Sequence, residues 1–217
     1  MSRKSELIAI FNKIDDTAKR AFNSSYKVVH DGMYSPEGIK QELNRLTKLY
    51  SEQIQTMRQQ AMDSIDTGLQ GLESKWKEEV LKNIQNAGYQ AGLTNFMHIL
   101  QTGAIKDKTD IRNAVTVYEG DHNAIAAIRH LLITSTIPTY QEIALELPED
   151  TRGKNRELLQ RLKSNVDTQI NDLGVFQLIH GNGRTYEETA LYLTLEGFRS
   201  FVNDRLNDDM ELKSVQM

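Results

Sequence analysis

The sequence contains no cysteine. Disulfide bonds, thiolate metal sites, cysteine nucleophiles and iron–sulfur clusters are therefore excluded as sources of stability or chemistry. Proline is scarce, with three residues, and the thirteen glycines are too few for the many tight turns of a β-sandwich or β-barrel. The composition therefore favours a helical fold without covalent cross-links.

Long hydrophobic runs and a strong excess of one charge are also missing. The apolar stretch Leu7–Phe11 ends at Asn12, too early for the hydrophobic region of a signal peptide, and no window approaches the roughly 18 apolar residues of a membrane span. The 26 lysines and arginines against 30 aspartates and glutamates give a net charge of −4. This balance argues against nucleic acid as a partner. We therefore expect a cytoplasmic protein that is not secreted by a signal peptide and has no membrane partner.

Helical periodicity dominates the sequence. Apolar residues at three- and four-residue spacing predict a first helix from residue 5 to about 23. Ser35-Pro36-Glu37 combines a serine N-cap, a proline at the first helical position and an early acid, which predicts a second helix start. No proline follows before Pro138, and an apolar stripe continues at helical spacing from Ile39 to Ala91. The pattern predicts one long coiled-coil or bundle-like helix over 35–103, or a helical hairpin that turns at Gly68 or Gly71.

A continuous helix of this length would extend about 100 Å at 1.5 Å per residue, and the remaining helices are too short to cover its whole apolar face. We therefore expect other copies of the chain, or other proteins of a larger assembly, to cover it, which predicts a homo-oligomer. Paired charge substitutions at Ile54 and Met57 are expected to dissociate that assembly. The candidate interface residues are Leu43, Leu46, Tyr50, Ile54, Met57, Ile65, Leu69, Leu72 and Trp76.

Shorter helices and more frequent turns follow residue 103. Thr185 and Glu188 form a capping box that opens a last helix, and the residues from Asn207 onward are interpreted as a frayed polar tail. Val175–His180 followed by Gly181-Asn182-Gly183 leaves a small β-hairpin as an alternative, because Asn-Gly favours a tight turn. The sequence thus predicts an all-α fold: an N-terminal helix and linker at 1–34, the long helix at 35–103, and a compact helical module at 104–217.

Candidate chemical sites are few. The five histidines lack the spacing that places two metal ligands on adjacent helical turns. Glu119, Asp121 and His122 are neighbours, but Asp121 fits better as the N-cap of the helix that His122 begins. No arrangement pairs a nucleophile or a base with an orienting partner. The sequence therefore predicts a protein that is not an enzyme, with no catalytic, cofactor-binding or metal site.

A basic cluster lies between residues 152 and 163, with Glu157 as the one acid among its charges. It fits either contact with phosphate or an acidic protein surface, or the solvated face of a helix whose other face carries Leu158, Leu162 and Val166. No aromatic residue for base stacking is interleaved with the charges. The cluster consists of Arg152, Lys154, Arg156, Arg161 and Lys163.

The overall plan resembles that of scaffolding, head-associated and connector proteins of tailed-bacteriophage particles. The resemblance rests on the long helix over 35–101, which has no proline after Pro36, on the lack of cysteine and on the compact helical module at 110–206. It implies a structural protein that takes part in assembly through the long apolar stripe, located in the virion or the cytoplasm of the host cell. The alternative is an adaptor or regulatory module that binds a protein or nucleic acid through the basic helix at 152–163.

Overall fold

A computed structural model describes residues 1–181 and 185–213. These residues form helices and no strand, which confirms the all-α prediction. No helix among them is long and apolar enough to cross a membrane. A single 3-10 turn, Tyr186–Glu188, lies before the last helix. The helices are α1 (Arg3–His30), α2 (Pro36–Gln85), α3 (Ala87–Gln101), α4 (Lys108–Thr116), α5 (His122–Thr134), α6 (Pro138–Glu146), α7 (Arg152–Gln169), α8 (Asp172–His180) and α9 (Ala190–Arg205).

The long helix α2 starts where the sequence predicts and ends earlier. Ser35 Oγ accepts a hydrogen bond from the N–H of Gly38 at 3.2 Å, as expected of an N-terminal cap. The helix continues through Gly68 and Gly71, so the alternative of a helical hairpin is wrong. It ends at Gln85 because Asn86 leaves the helical conformation and its side chain accepts the N–H of Tyr89, which caps α3 instead. The predicted helix over 35–103 is therefore two helices.

The chain forms two compact units. The first comprises Met1–Leu72 and Lys154–Met217, and the second comprises Glu73–Gly153. Helix α2 contributes residues to both. This division differs from the predicted segments 1–34, 35–103 and 104–217, because α8 and α9 return to pack on α1.

The core of the first unit lies between α1 and the C-terminal helices. The rings of Phe11 and Phe198 stack with centroids 5.5 Å apart, and Leu195 and Val202 of α9 are fully buried. Helix α1 continues to His30 rather than ending near residue 23. Ser25 lies within the helix because its hydroxyl donates to the carbonyl of Phe22, which satisfies the polar group locally.

The apolar stripe of α2 is largely covered by the chain itself. Tyr50 contacts Ser24 of α1 across a 3.2 Å hydrogen bond, and Asp66 pairs with Lys163 of α7 at 2.6 Å. The expectation that other copies cover these residues is therefore wrong for most of the stripe, and a charge at the fully buried Ile54 would disrupt the folded unit itself. The predicted interface residues that are buried within the chain are Leu43, Leu46, Ile54, Ile65, Leu72 and Trp76; the partly buried ones are Tyr50, Met57 and Leu69.

The segment from the end of α9 to Lys213 is folded and does not form a frayed tail. An isolated antiparallel bridge joins Leu206 to Leu212, and the side chain of Met210 between them is fully buried. The side chain of Asn207 accepts the N–H groups of Asp209 and Glu211, which holds the turn. The prediction of a polar tail is therefore wrong for this segment.

The predicted β-hairpin does not form at its first strand. Val175–His180 lies within α8, where Asn171 caps the helix by accepting the N–H of Gly174 at 2.9 Å. The turn residues Asn182 and Gly183 lie outside the described residues. Thr185 and Glu188 form the predicted capping box, but it opens the 3-10 turn, and Thr189 caps α9.

The second unit has its own core, built from α3 to α6. Tyr140 is fully buried and its hydroxyl donates to the carbonyl of Ile105, which anchors the loop before α4. Asp107 and Asp121 cap α4 and α5. The central residues of this core are Phe96, Leu100, Ile111, Val115, Ile125, Ile128, Leu132, Tyr140 and Ile143.

Candidate protein-binding groove

A groove of about 810 Å³ lies between α7 and α9 in the first unit. Its apolar surface comes from both helices, whereas its charged residues come from α7 alone. Thr194, Asn165 and Gln169 add uncharged polar groups. The apolar lining residues are Leu158 and Leu162 of α7 and Leu193, Phe198 and Phe201 of α9.

Helical spacing explains why these side chains share one surface. Leu158 and Leu162 are four residues apart and therefore lie on the same face of α7, while Leu159 on the adjacent face is fully buried in the core. On α9, Leu193 leaves the core-facing side and is 59% exposed. On α7 the apolar line of Leu158 and Leu162 continues to the buried Val166, whereas on α9 Leu193 and Phe201 form a second apolar line beside the core-facing one.

Gly197 lies in the middle of the α9 wall. A Cβ atom at this position would meet no heavy atom within 4 Å, so the space beside the backbone is open. A glycine inside a helix costs about 1 kcal/mol relative to alanine. Because Gly197 has no side chain, the groove is deeper at this position, which allows the backbone of a bound partner to approach α9 closely.

The charge along the groove is positive on balance. Lys154 and Arg161 line it together with one carboxylate, that of Glu157. Arg161 is exposed, and within residues 1–181 and 185–213 no carboxylate lies within salt-bridge distance of it. Its guanidinium is therefore available to an acidic group of a ligand.

The five basic residues that the sequence analysis singled out do not form one patch. Arg152 donates to Asp150 at 2.7 Å, and this hydrogen bond lowers the pKa of Asp150 to about 2. Lys163 is paired with Asp66. Arg156 is exposed but does not line the groove, whereas Lys154 and Arg161 do.

Two apolar groove residues were missed by the sequence analysis. Leu193 and Phe201 lie off the core-facing stripe of the last helix, so a pattern with a single apolar face does not include them. A signal for them exists in the sequence. Leu193, Gly197 and Phe201 recur at intervals of four residues, which marks a second apolar line on the same helix.

Asp121 acts as the predicted helix cap. Its carboxylate accepts the N–H groups of Asn123 and Ala124, and also hydrogen bonds of 2.8 Å from Tyr89 Oη and Asn83 Nδ2. Burial alone would raise the pKa of Asp121, but these hydrogen bonds outweigh it and hold the pKa below the usual value. The carboxylate is therefore occupied by structural partners.

Neither a metal-ligand cluster in the described part of the chain nor a comparison with known proteins indicates a second functional site. In the described part of the chain, no group of three or more histidine, aspartate or glutamate side chains is arranged to hold a metal ion. No protein-family model, curated protein or solved structure matches this chain. The functional proposal therefore rests on the geometry and charge of the groove.

Proposed function

We propose that this chain is a non-enzymatic interaction protein, an adaptor or assembly component, that binds a partner protein in the groove between α7 and α9. The observation that carries the proposal is the apolar groove of about 810 Å³ on the surface of the first unit. Leu193 is 59% exposed there, and Phe201, two turns further along α9, is partly buried. Apolar surface that leaves water on binding contributes roughly 25 cal/mol per Å², which favours an apolar partner surface.

The distribution of polar groups supports a protein partner over a small metabolite. Small-molecule sites bury most of their ligand and direct a few fixed polar groups onto it. Here the charged side chains Lys154, Glu157 and Arg161 are exposed, while the better buried lining residues Leu162 and Phe198 are apolar. An apolar groove between two helices, with charged residues along one of them, fits the binding of an amphipathic helix.

Site-specific photo-cross-linking tests the proposal. A photo-reactive amino acid at position 197 is expected to form one discrete adduct with another protein in cells that produce the chain. The same group at position 153 is the matched control, because Gly153 is also helical and exposed, has open space around its Cβ position, and does not line the groove.

The substitution Leu193→Asp should abolish the adduct formed at position 197, since it places a charge in the apolar lining without disturbing a buried residue. An adduct that persists in this background, or the absence of any adduct specific to position 197, contradicts the proposal. Circular dichroism of the variant provides the folding control.

The second candidate is the homo-oligomeric assembly role implied by the resemblance to phage-particle proteins. Two residues near the end of α2, Leu81 and Ile84, are 45% and 61% exposed. Close by, Gly88 has only Asn86 Oδ1 within 4 Å of its Cβ position. This part of the apolar pattern favours self-association.

Light scattering coupled to size-exclusion chromatography tests this second role. The wild type should then have a mass that is a multiple of 24.8 kDa. The double substitution Leu81→Glu and Ile84→Glu should return the mass to that of one chain. A wild type that is monomeric at every concentration contradicts the assembly role.

A further inference from the structure

We propose that the segment Asn207–Lys213, which follows α9, is a strap that opens as one piece while the helices of the first unit stay folded. In the structure the strap is closed and contacts α1, α2 and α7. Opening frees the side-chain amide of the fully buried Asn155 and the first turn of α1. All of these contacts lie within the first unit, and none of them involves a residue that lines the groove.

An asparagine on α7 and a glycine on α2 receive the strap. Asn155 Nδ2 donates to the carbonyl of Met210 at 3.4 Å, and Asn155 Oδ1 accepts the N–H of Leu212. The side chain of Met210 lies against the backbone of Gly68 in α2, where a Cβ atom would be 3.2 Å from Met210 Cγ. Because glycine has no side chain, the methionine packs directly on the helix backbone. The closed strap therefore has one defined position.

The strap also contacts the first turn of α1. The N–H of Lys4, one of the N-terminal groups without an acceptor inside the helix, donates to the carbonyl of Asp208 at 3.4 Å. Ser2 Oγ donates to Asp208 Oδ1 at 3.3 Å. Lys4 Nζ donates to the carbonyls of Asn203 and Leu206 at the end of α9, each at 3.0 Å. These last two bonds do not involve the strap, so α1 remains attached to α9 when the strap opens.

Hydrogen bonds within the strap connect its residues to one another. The N–H of Asn207 donates to the carbonyl of Glu211 at 2.8 Å, and the N–H of Met210 donates to the carbonyl of Asn207 at 3.1 Å. Asn207 Oδ1 accepts the N–H groups of Asp209 and Glu211. Such local bonds do not depend on the helices beneath. They persist when the contacts with α1, α2 and α7 break, so the strap moves as one piece.

The strap buries little apolar surface. Among residues 207–213, all of which the structure describes, Met210 alone is fully buried, and Asp208 and Asp209 are exposed. Met210 also has a left-handed backbone with φ 70°, which is unfavourable for a residue other than glycine. Helix α9, in contrast, contributes Leu195 and Val202 to the core. Segments with few buried apolar side chains open at a lower free energy than the core, so the strap opens more often than α9 unfolds.

Hydrogen exchange of the wild-type chain, followed by NMR at urea concentrations below the unfolding transition, tests the proposal. The N–H groups of Met210 and Leu212 report on the strap, and those of Leu195 and Val202 report on α9. After correction for intrinsic rates, the strap groups should exchange about a hundredfold faster than the α9 groups, with one common opening constant and a weaker dependence on urea. Exchange of both sets at one rate, or unequal opening constants at Met210 and Leu212, would overturn the proposal.

A disulfide between the strap and α2 provides the matched control. A Cβ atom at Gly68 would lie 3.5 Å from Met210 Cβ, within the range of disulfides, and the chain has no cysteine of its own. The double substitution Gly68→Cys and Met210→Cys should therefore lock the strap when oxidised. The ratio of the exchange rates at Leu212 and Leu195 should be about tenfold lower in the oxidised protein than in the same protein reduced. An unchanged ratio, or cysteines that do not join, would overturn the proposal.

Discussion

The side-chain amide of Asn155 holds the backbone of Met210 and Leu212 at once. Its Nδ2 donates to the carbonyl of Met210 at 3.4 Å, and its Oδ1 accepts the N–H of Leu212. Asn155 lies in α7 and is fully buried, as is Met210, which has a left-handed backbone with φ 70°. The residues that follow α9 are therefore anchored to the core by one buried polar group.

Replacing this amide should destabilise the first unit. Asn155→Leu leaves the carbonyl of Met210 and the N–H of Leu212 without this partner in a buried environment, which costs about 1–3 kcal/mol. Urea unfolding followed by circular dichroism measures the change. Asn95→Leu, at an exposed position of α3, is the control and should change the free energy of unfolding by less than about 0.5 kcal/mol. Equal effects of the two substitutions would contradict the anchoring role.

Two glycines of α2 should respond differently to alanine. At Gly71 the atoms nearest the new Cβ belong to the end of the flexible Arg3 side chain, which can move away, so Gly71→Ala should stabilise the protein by up to about 1 kcal/mol. At Gly68 the Cβ would lie 3.2 Å from Cγ of the buried Met210, whose backbone is held by Asn155. Gly68→Ala should therefore gain clearly less, or lose stability. Melting temperatures measure the order, and a larger gain at Gly68 would show that the C-terminal segment is not fixed there.

Burial of the α2 stripe within one chain can be tested with two leucines three residues apart. Leu46 is 4% exposed and Leu49 is 39% exposed. Leu46→Ala should cost about 2–5 kcal/mol, and Leu49→Ala, the matched control, much less. Because the burial is intramolecular, the loss at Leu46 should not depend on protein concentration. A loss that shrinks as the concentration rises would place Leu46 at an interface between chains.

The cap of α5 should make the second unit sensitive to acid. The pKa of Asp121 is lower in the folded protein than in the unfolded chain, where it is about 3.9, so the unfolded chain takes up this proton first. The stabilisation is present above that value and is lost as the pH falls through the folded pKa. Asp121→Ala removes four accepted hydrogen bonds and should cost about 1–3 kcal/mol at pH 7.

The control for this experiment is Asp121→Asn, which keeps an N-cap side chain but has no carboxylate to titrate. Unfolding curves between pH 6 and pH 3 should show a smaller loss of stability for this variant than for the wild type. The same pH dependence in both proteins would mean that other carboxylates account for the acid sensitivity.

The sequence alone predicted the all-α class and several helix starts. Ser35-Pro36 at the start of α2 and Asp121 at the start of α5 act where they were predicted, because a cap depends on one side chain and the backbone N–H groups within the next turn. Apolar residues at helical spacing likewise predicted the buried faces of α1 and α9. Interactions this short in sequence can be recognised without knowing the rest of the fold.

Only the tertiary structure decided what covers each apolar face. The apolar spacing on α2 predicts that Ile54 is buried, as it is. The same spacing is expected whether a neighbouring chain or a helix of the same chain covers that face. The groove depends in turn on α7 and α9 lying side by side, although Leu162 and Phe201 are almost forty positions apart in sequence. Burial is favourable whichever apolar surface supplies it, so the choice of partner follows from how all the helices pack together.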